Sequence, residues 1–258
     1  MRVLVRLVLL IAAMAAVPAP VAGQEPVLVP DVSRNTIDIQ YSFTGADLLL
    51  FGAILYPGGR LPDSQADIVV VLKGPTRAIT LREKQKIAGI WINADSTRFR
   101  SVPGYYAIAS SRPIDKLVDE RTAAIYELGI SNLQLSPASG ADAKRQQRFE
   151  QGLIDLNVRH ELFAERPDTV EIREGVLYRA SIPVPARVPV GRYTAETFLI
   201  SKGRVLAVAS REVDIRKSGF ERFVAMAAQR HGFLYGLAAI IVSLAFGYAG
   251  ALIFRKRA

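Results

Sequence analysis

The sequence has no cysteine and only two histidines, His160 and His231. Without thiols there is no disulfide, so any folded part is held by an ordinary apolar core and is indifferent to oxidant or reductant. Structural zinc and iron–sulfur centres draw on Cys and His, so no metal site and no cofactor is expected. The local signatures of common enzymes are missing too. There is no Gly-x-Ser-x-Gly elbow, no His-Glu-x-x-His, no Gly-rich phosphate loop and no calcium-loop pattern; no catalytic residue is assigned and the chain is not read as an enzyme. Excess charge is also small where it matters. Of the formal +9, Arg2 and Arg6 lie near the start and Arg255, Lys256 and Arg257 near the end, leaving +4 for the rest. That balance gives no reason to expect nucleic acid.

Charge is wholly lacking over residues 233–254, twenty-two in a row, which are followed by Arg255-Lys256-Arg257. As a helix this run would extend about 33 Å, against roughly 30 Å of bilayer hydrocarbon, so it is expected to be a single transmembrane helix. Residues 255–258 form the tail, which the positive-inside tendency keeps in the cytoplasm. Residues 1–23 read as a secretory signal peptide, with basic Arg2 and Arg6, an uncharged stretch over 7–17 and a small-residue site at Val21-Ala22-Gly23. The competing reading, a second spanning helix, meets a stretch that is too short and is broken by Pro18 and Pro20. Residues 24–216 are then exported.

Through the exported part the period is mostly two. Residues 37–43 alternate apolar and polar as an edge-like strand does, and 48–56 and 68–72 are near-continuous apolar runs expected to be buried strands. Short strands are expected over 78–81, 89–93, 97–99 and 104–109. The period then changes. Ile114, Leu117, Ile125 and Leu128 share one helical face after Pro113, and Phe149, Leu153, Leu156, His160 and Phe163 recur at helical spacing, so two helices are expected, the second stopped by Pro167. Residues 137–140 separate them. Strands return over 169–173, 177–184, 193–200 and 205–215, with a Lys202-Gly203 hairpin turn. Strands at both ends with helices between them suggest a mainly β fold, an immunoglobulin-like β-sandwich with a helical insertion at about 113–166, plus one C-terminal transmembrane helix. Two smaller domains are the alternative. Over 217–231, Ser218 and Glu221 make a capping-box pattern, and Phe220, Phe223, Val224 and Ala227 share a face. This reads as an amphipathic juxtamembrane helix or as an extension of the anchor.

Two groups of residues could carry binding. Arg77, Arg82, Lys84 and Lys86 crowd around the only tryptophan, Trp91, with Arg98 and Arg100 beyond; this could form a basic surface with an aromatic floor for an anion or partner. Cations on strands also guard edges against aggregation, and Trp91 could fill the core. In the anchor, Ala239, Ser243, Gly247 and Ala251 recur every four residues as a small-residue ridge against which another helix could pack. Tyr105-Tyr106 is expected to send one ring inward and one outward. His160-Glu161 reads as a structural histidine on an apolar stripe rather than a general base, and Asp63-Ser64 and Asp95-Ser96 as turn caps.

Several segments resemble one family across nearly the whole mature chain. They are Lys84-x-x-x-x-Gly89-x-Trp91-x-Asn93, Val102-Pro103-x-Tyr105-Tyr106, Leu177-Tyr178-Arg179 through Pro185, Pro189-x-Gly191-x-Tyr193, Gly219-Phe220-Glu221 and Leu234-Tyr235-Gly236. Together they are similar to the alphaproteobacterial transmembrane protein family. The resemblance implies bacterial origin and the order of signal peptide, periplasmic domain and single inner-membrane span; it implies no catalytic residue. It also brings an association with gene neighbours that resemble sulfite-exporter-like permeases. The expectation is therefore a membrane-anchored periplasmic interaction module, accessory to a transporter. Its partners would be the lipid bilayer and an integral membrane protein, or a second copy, met through the anchor. The alternative is a tethered domain that binds or acts on an anionic envelope ligand.

Overall fold

The computed structural model describes residues 25–39, 45–62, 66–137, 142–217, 224 and 228–255. The expected signal peptide, most of the juxtamembrane helix, Asp63-Ser64 and the last residues of the tail lie outside them. In chain order the elements are β1 (Val27–Val32), β2 (Thr36–Ile39), β3 (Gly45–Leu55), β4 (Asp67–Lys73), β5 (Thr76–Ile87), β6 (Ile90–Pro103) and β7 (Tyr106–Ser110). Then follow α1 (Ile114–Leu117), α2 (Glu120–Ile125), β8 (Ser136–Pro137), α3 (Ala143–Arg159) and β9 (Phe163–Arg166). The chain continues through β10 (Val170–Arg173), β11 (Leu177–Pro185), β12 (Gly191–Ser201), β13 (Arg204–Lys217) and α4 (Gly232–Arg255).

The protein is mainly β. One sheet has the order β1-β3-β11-β10, a second β2-β13-β12-β4-β7-β9, and a third β5-β6-β8. β11 alternates, burying Tyr178, Ala180, Ile182 and Val184, the signature of a strand with one face on a core. β4 and β7 are buried along both faces, which is why residues 68–72 are apolar without alternation. One face of this central pair looks toward the first sheet, where the Tyr178 hydroxyl lies 3.4 Å from Thr197 Oγ1 of β12. The other carries Val69, Val71, Tyr106 and Ile108 and is covered by the segment that holds α1 and α2, including Leu117, Val118, Ala123 and Leu128.

That segment differs from two regular helices. The first expected helix is two short ones, because Val118 is extended and Asp119 begins a new helix by accepting the Thr122 N–H at 2.9 Å. Ile125, assigned to the buried stripe, is exposed. The second helix ends at Arg159, well before Pro167. Phe149, Leu153 and Asn157 form its buried stripe, whereas Leu156 and His160 face out. Phe163 belongs to β9, which joins the six-stranded sheet parallel to β7. Two short strands of the region at 113–166, β8 and β9, thus join the third sheet and the six-stranded sheet.

After Pro167 the four expected strands match β10 to β13. Lys202 and Gly203 sit at φ 51° and 79° in the turn between β12 and β13. At the C-terminus α4 is helical for 24 residues. Its side chains are described as far as Tyr248, and among the described residues no helix is long and apolar enough to cross a membrane.

Candidate functional site

The short strands expected over 78–81, 89–93 and 97–99 are pieces of a single long hairpin. β5 pairs with β6 from Thr76↔Pro103 to Ile87↔Ile90. The pairing continues that of β4 with β7, where Lys73 faces Tyr106. Between the two ladders, Gly74 donates to the Tyr105 carbonyl at 2.8 Å and Gly104 to the Pro75 carbonyl at 2.9 Å. The hairpin is therefore an arm that prolongs the two central strands past the end of their sheet. Glycine is needed at this root. A Cβ on Gly74 would stand 2.9 Å from the Tyr193 ring and one on Gly104 2.5 Å from Pro189, both closer than packed atoms come.

Two tyrosines lock the root. Both rings of the Tyr105-Tyr106 pair are buried, where one was expected outside, because the sheet is covered on both faces. Tyr105 donates to the Pro183 carbonyl at 2.5 Å and lies 6.0 Å from the Tyr193 ring. Tyr106 donates to the Glu127 carbonyl at 2.8 Å and accepts the Gly129 N–H at 2.9 Å. Burial pushes all three phenols well above their ordinary value. Beside them Lys73 reaches Glu127 at 2.8 Å and Glu196 at 3.3 Å. Burial opposes its charge, but the hydrogen bond to Glu127 and the two carboxylates outweigh it and raise its pKa.

Partway along, α3 braces the arm. Arg145 Nε donates to Asp95 at 3.1 Å, and Arg148 reaches Asp95 at 3.0 Å and Glu83 at 3.1 Å. Both guanidinium groups also lie over the Phe149 ring, at 5.9 and 5.6 Å. Asp95, expected in a turn, sits in β6 beside a register shift at Glu83/Lys84. Burial works against its charge, yet bonds from Arg145 and the Ser96 N–H, with the charges of Arg145 and Arg148, hold its carboxyl below the usual range.

Strand alternation now places the basic residues. Arg82 pairs with Ser96, Lys84 with Asn93 and Lys86 with Trp91, while Thr80 pairs with Arg98. Arg82, Lys84, Lys86, Trp91, Arg98 and Arg100 therefore share one face of the arm. Arg77 alternates with Ala78, Thr80 and Arg82 and stands apart on the other face, at the root. Trp91 fills no core; it is among the most exposed large side chains of the chain. Sequence reasoning also missed Ile87, Ile90 and Ile92, which alternate onto the face opposite Trp91. The available signal was Gly89 in the middle of an apolar run, which makes that run a tip instead of a buried strand.

The remaining candidates are less chemically loaded. A cleft of about 960 Å³ lies against Asp47, Tyr105, Ile130, Glu161, Glu165 and Arg166; Glu165 there accepts the Ile130 N–H. Asp67, nearly buried, is held by the Ser111 hydroxyl at 2.8 Å and Arg112 Nε at 2.9 Å. His160 is exposed at the end of α3, so it is no core histidine. Among the described residues no cluster of three or more His, Asp or Glu is placed to hold a metal. On α4, Ala239, Ser243 and Gly247 are exposed, with nothing within 4 Å of the Gly247 Cβ position. Of the ridge, Ala251 falls where side chains are not described.

The profile of a family described as "Putative transmembrane protein (Alph_Pro_TM)" matches residues 27–256. The chain belongs to this family. The match runs from β1 through α4, so the arm, its bracing helix and the apolar helix are all within the family's own extent. No curated protein matches the chain.

Proposed function

We propose that this member of the transmembrane family is a membrane-anchored, non-enzymatic interaction module of the bacterial periplasm. In this reading the two large sheets form an immunoglobulin-like β-sandwich, α4 is its single span in the inner membrane, and the β5–β6 arm is its working surface. The observation that carries it is the arm. A hairpin that leaves the sheet, is braced by α3 and gathers five cations and an exposed tryptophan on one face is built to meet something outside the domain. Solvated edge charges alone would explain the cations but not the tryptophan beside them.

An integral membrane protein of transporter type fits as partner, since the arm and α4 belong to one chain and both can reach a neighbour in the same membrane. The ridge of Ala239, Ser243, Gly247 and Ala251 would serve such packing. The test is purification of the full-length protein in mild detergent with identification of what accompanies it. The wild type is expected to bring an integral membrane protein. Arg82→Glu with Arg98→Glu, both on the exposed cationic face behind the tip, should release it if the arm makes the contact, and Gly247→Leu should release it if the helix does. Retention by both variants would refute the two surfaces together. A small anion that raises the melting temperature of the full chain would instead favour the anionic-ligand reading. That reading is the weaker because the cationic face lies on an open ribbon and lines neither the cleft of about 960 Å³ nor that of about 590 Å³.

A further inference from the structure

Residues 87–92 read Ile-Ala-Gly-Ile-Trp-Ile, six residues without one polar side chain, at the far end of the arm. Ile87 is 51% exposed, Ile90 67%, Trp91 65% and Ile92 43%. Single exposed apolar residues need no explanation; four together at a tip do. The turn itself is part of the pattern. Ala88 and Gly89 have φ of 49° and 85°, the left-handed conformations for which two-residue hairpins ordinarily use Asn-Gly or Asp-Gly. Here alanine takes the first position against its conformational preference, and the tip stays free of polar groups. Immediately behind it stand Lys84 and Lys86.

The connectivity says which way the tip points. β13 runs parallel to β4, since both pair antiparallel with β12, and Glu212 is level with Lys73 through Thr194. Both strands therefore leave the sheet at the same end: β13 toward α4 and β4 into the arm. Lys217 is five residues beyond that level and Ile87 fourteen. Along the strand direction the tip thus extends at most about 30 Å past Lys217. Fourteen residues, 218–231, join Lys217 to α4, and with residues 224 and 228–230 helical their contour is at most about 40 Å. The chain is long enough for the start of α4 and the tip of the arm to reach the same plane.

We propose that the tip of the arm, Ile87, Ile90, Trp91 and Ile92, inserts into the lipid of the membrane that carries the chain, with Lys84 and Lys86 at its anionic headgroups. The proposal rests on the reading of α4 as an anchor for its choice of membrane. Tryptophan favours the interface between headgroups and hydrocarbon, isoleucine the hydrocarbon, and lysine an anionic surface within reach of its long stem. A β hairpin can enter only shallowly, because lipid cannot satisfy open strand edges. An apolar tip of six residues under a cationic collar meets that limit, with two contacts, α4 and the tip, fixing the tilt of the domain over the bilayer.

The only tryptophan of the chain is Trp91, so its fluorescence reports the tip without labels. The full-length protein is reconstituted into vesicles of phosphatidylethanolamine and phosphatidylglycerol, with and without brominated acyl chains, and anchoring is scored separately by resistance to alkaline extraction. Expected are a blue-shifted emission, loss of most of it with brominated lipid, and weak quenching by aqueous iodide. Ile90→Asp, an exposed site whose change leaves Trp91 in place, should reverse all three, whereas Val208→Asp, exposed on β13, should not. An emission open to iodide and indifferent to bromine overturns the proposal. So does one shielded from both, which would assign the tip to a protein, either a second copy or a partner. Extraction at alkaline pH with bromine quenching intact would refute the anchor and leave the tip standing; resistance to extraction without quenching would do the reverse.

Discussion

The ammonium of Lys73, the last residue of β4, lies 2.8 Å from the Glu127 carboxylate in the turn that follows α2. One ion pair thereby ties the layer that contains α1 and α2 to the strand from which the arm grows, and Glu196 of β12 completes the contact at 3.3 Å. Removing the cation leaves two half-buried carboxylates without their shared partner. Lys73→Met is expected to lower stability by about 1 to 3 kcal/mol, toward the lower end because the group keeps some solvent. The check is denaturant unfolding of the full-length protein in detergent. A midpoint equal to the wild type would show that the pair is incidental.

Tyr105 and Tyr106 are neighbours with unequal duties. The first satisfies one backbone carbonyl, that of Pro183; the second satisfies the Glu127 carbonyl and the Gly129 N–H together. Tyr105→Phe should cost about 1 kcal/mol and Tyr106→Phe about 2, since each orphaned buried group adds its own desolvation. An order reversed in thermal or denaturant unfolding would contradict the geometry.

Alkaline conditions should weaken the fold before they hydrolyse anything. Tyr105, Tyr106 and Tyr193 hold their protons more tightly when folded, because burial raises them above the ordinary value of 10.0. Lys73 is raised above 10.5 as well, its carboxylate partners overcoming its desolvation. A raised folded pKa means that the stabilisation is complete below the unfolded value and is lost as pH climbs through the folded one. The melting temperature should hold steady up to about pH 9.5 and fall steeply above it. The Tyr106→Phe variant should show a shallower decline, and equal slopes for variant and wild type would remove the phenol from this account.

Topology is the simplest matter to decide. A reporter active only in the periplasm should work when fused after Ile215 and be silent when fused after Ala258, because Arg255, Lys256 and Arg257 are expected to remain on the cytoplasmic side. Activity at both positions would require a different path for α4.

Much of the β architecture could be read along the chain. The unbroken run at 68–72 announced a strand covered on both faces, the alternation over 177–184 a strand covered on one, and Lys202-Gly203 a tight turn, because each is a local consequence of burial or backbone conformation. The lack of cysteine and the uncharged stretch at 233–254 likewise needed no coordinates. What depended on distant parts of the chain was not legible. Residues 78–81, 89–93 and 97–99 looked like separate strands because the tip at Ala88-Gly89 divides the first two and a register shift at Glu83/Lys84 breaks the alternation between the last two, and only pairing across the hairpin shows one continuous arm. The same pairing sends Arg82, Lys84, Lys86, Trp91, Arg98 and Arg100 to one face and Arg77 to the other. Tyr105, at the junction of β6 and β7, and Tyr106, in β7, are both buried because separate layers cover the two sides of the chain there. Periodicity reports the sides a strand presents; what lies against each side is set by contacts between residues far apart in sequence. That is why Trp91, which the sequence allowed in the core, stands in the structure at the exposed end of an arm.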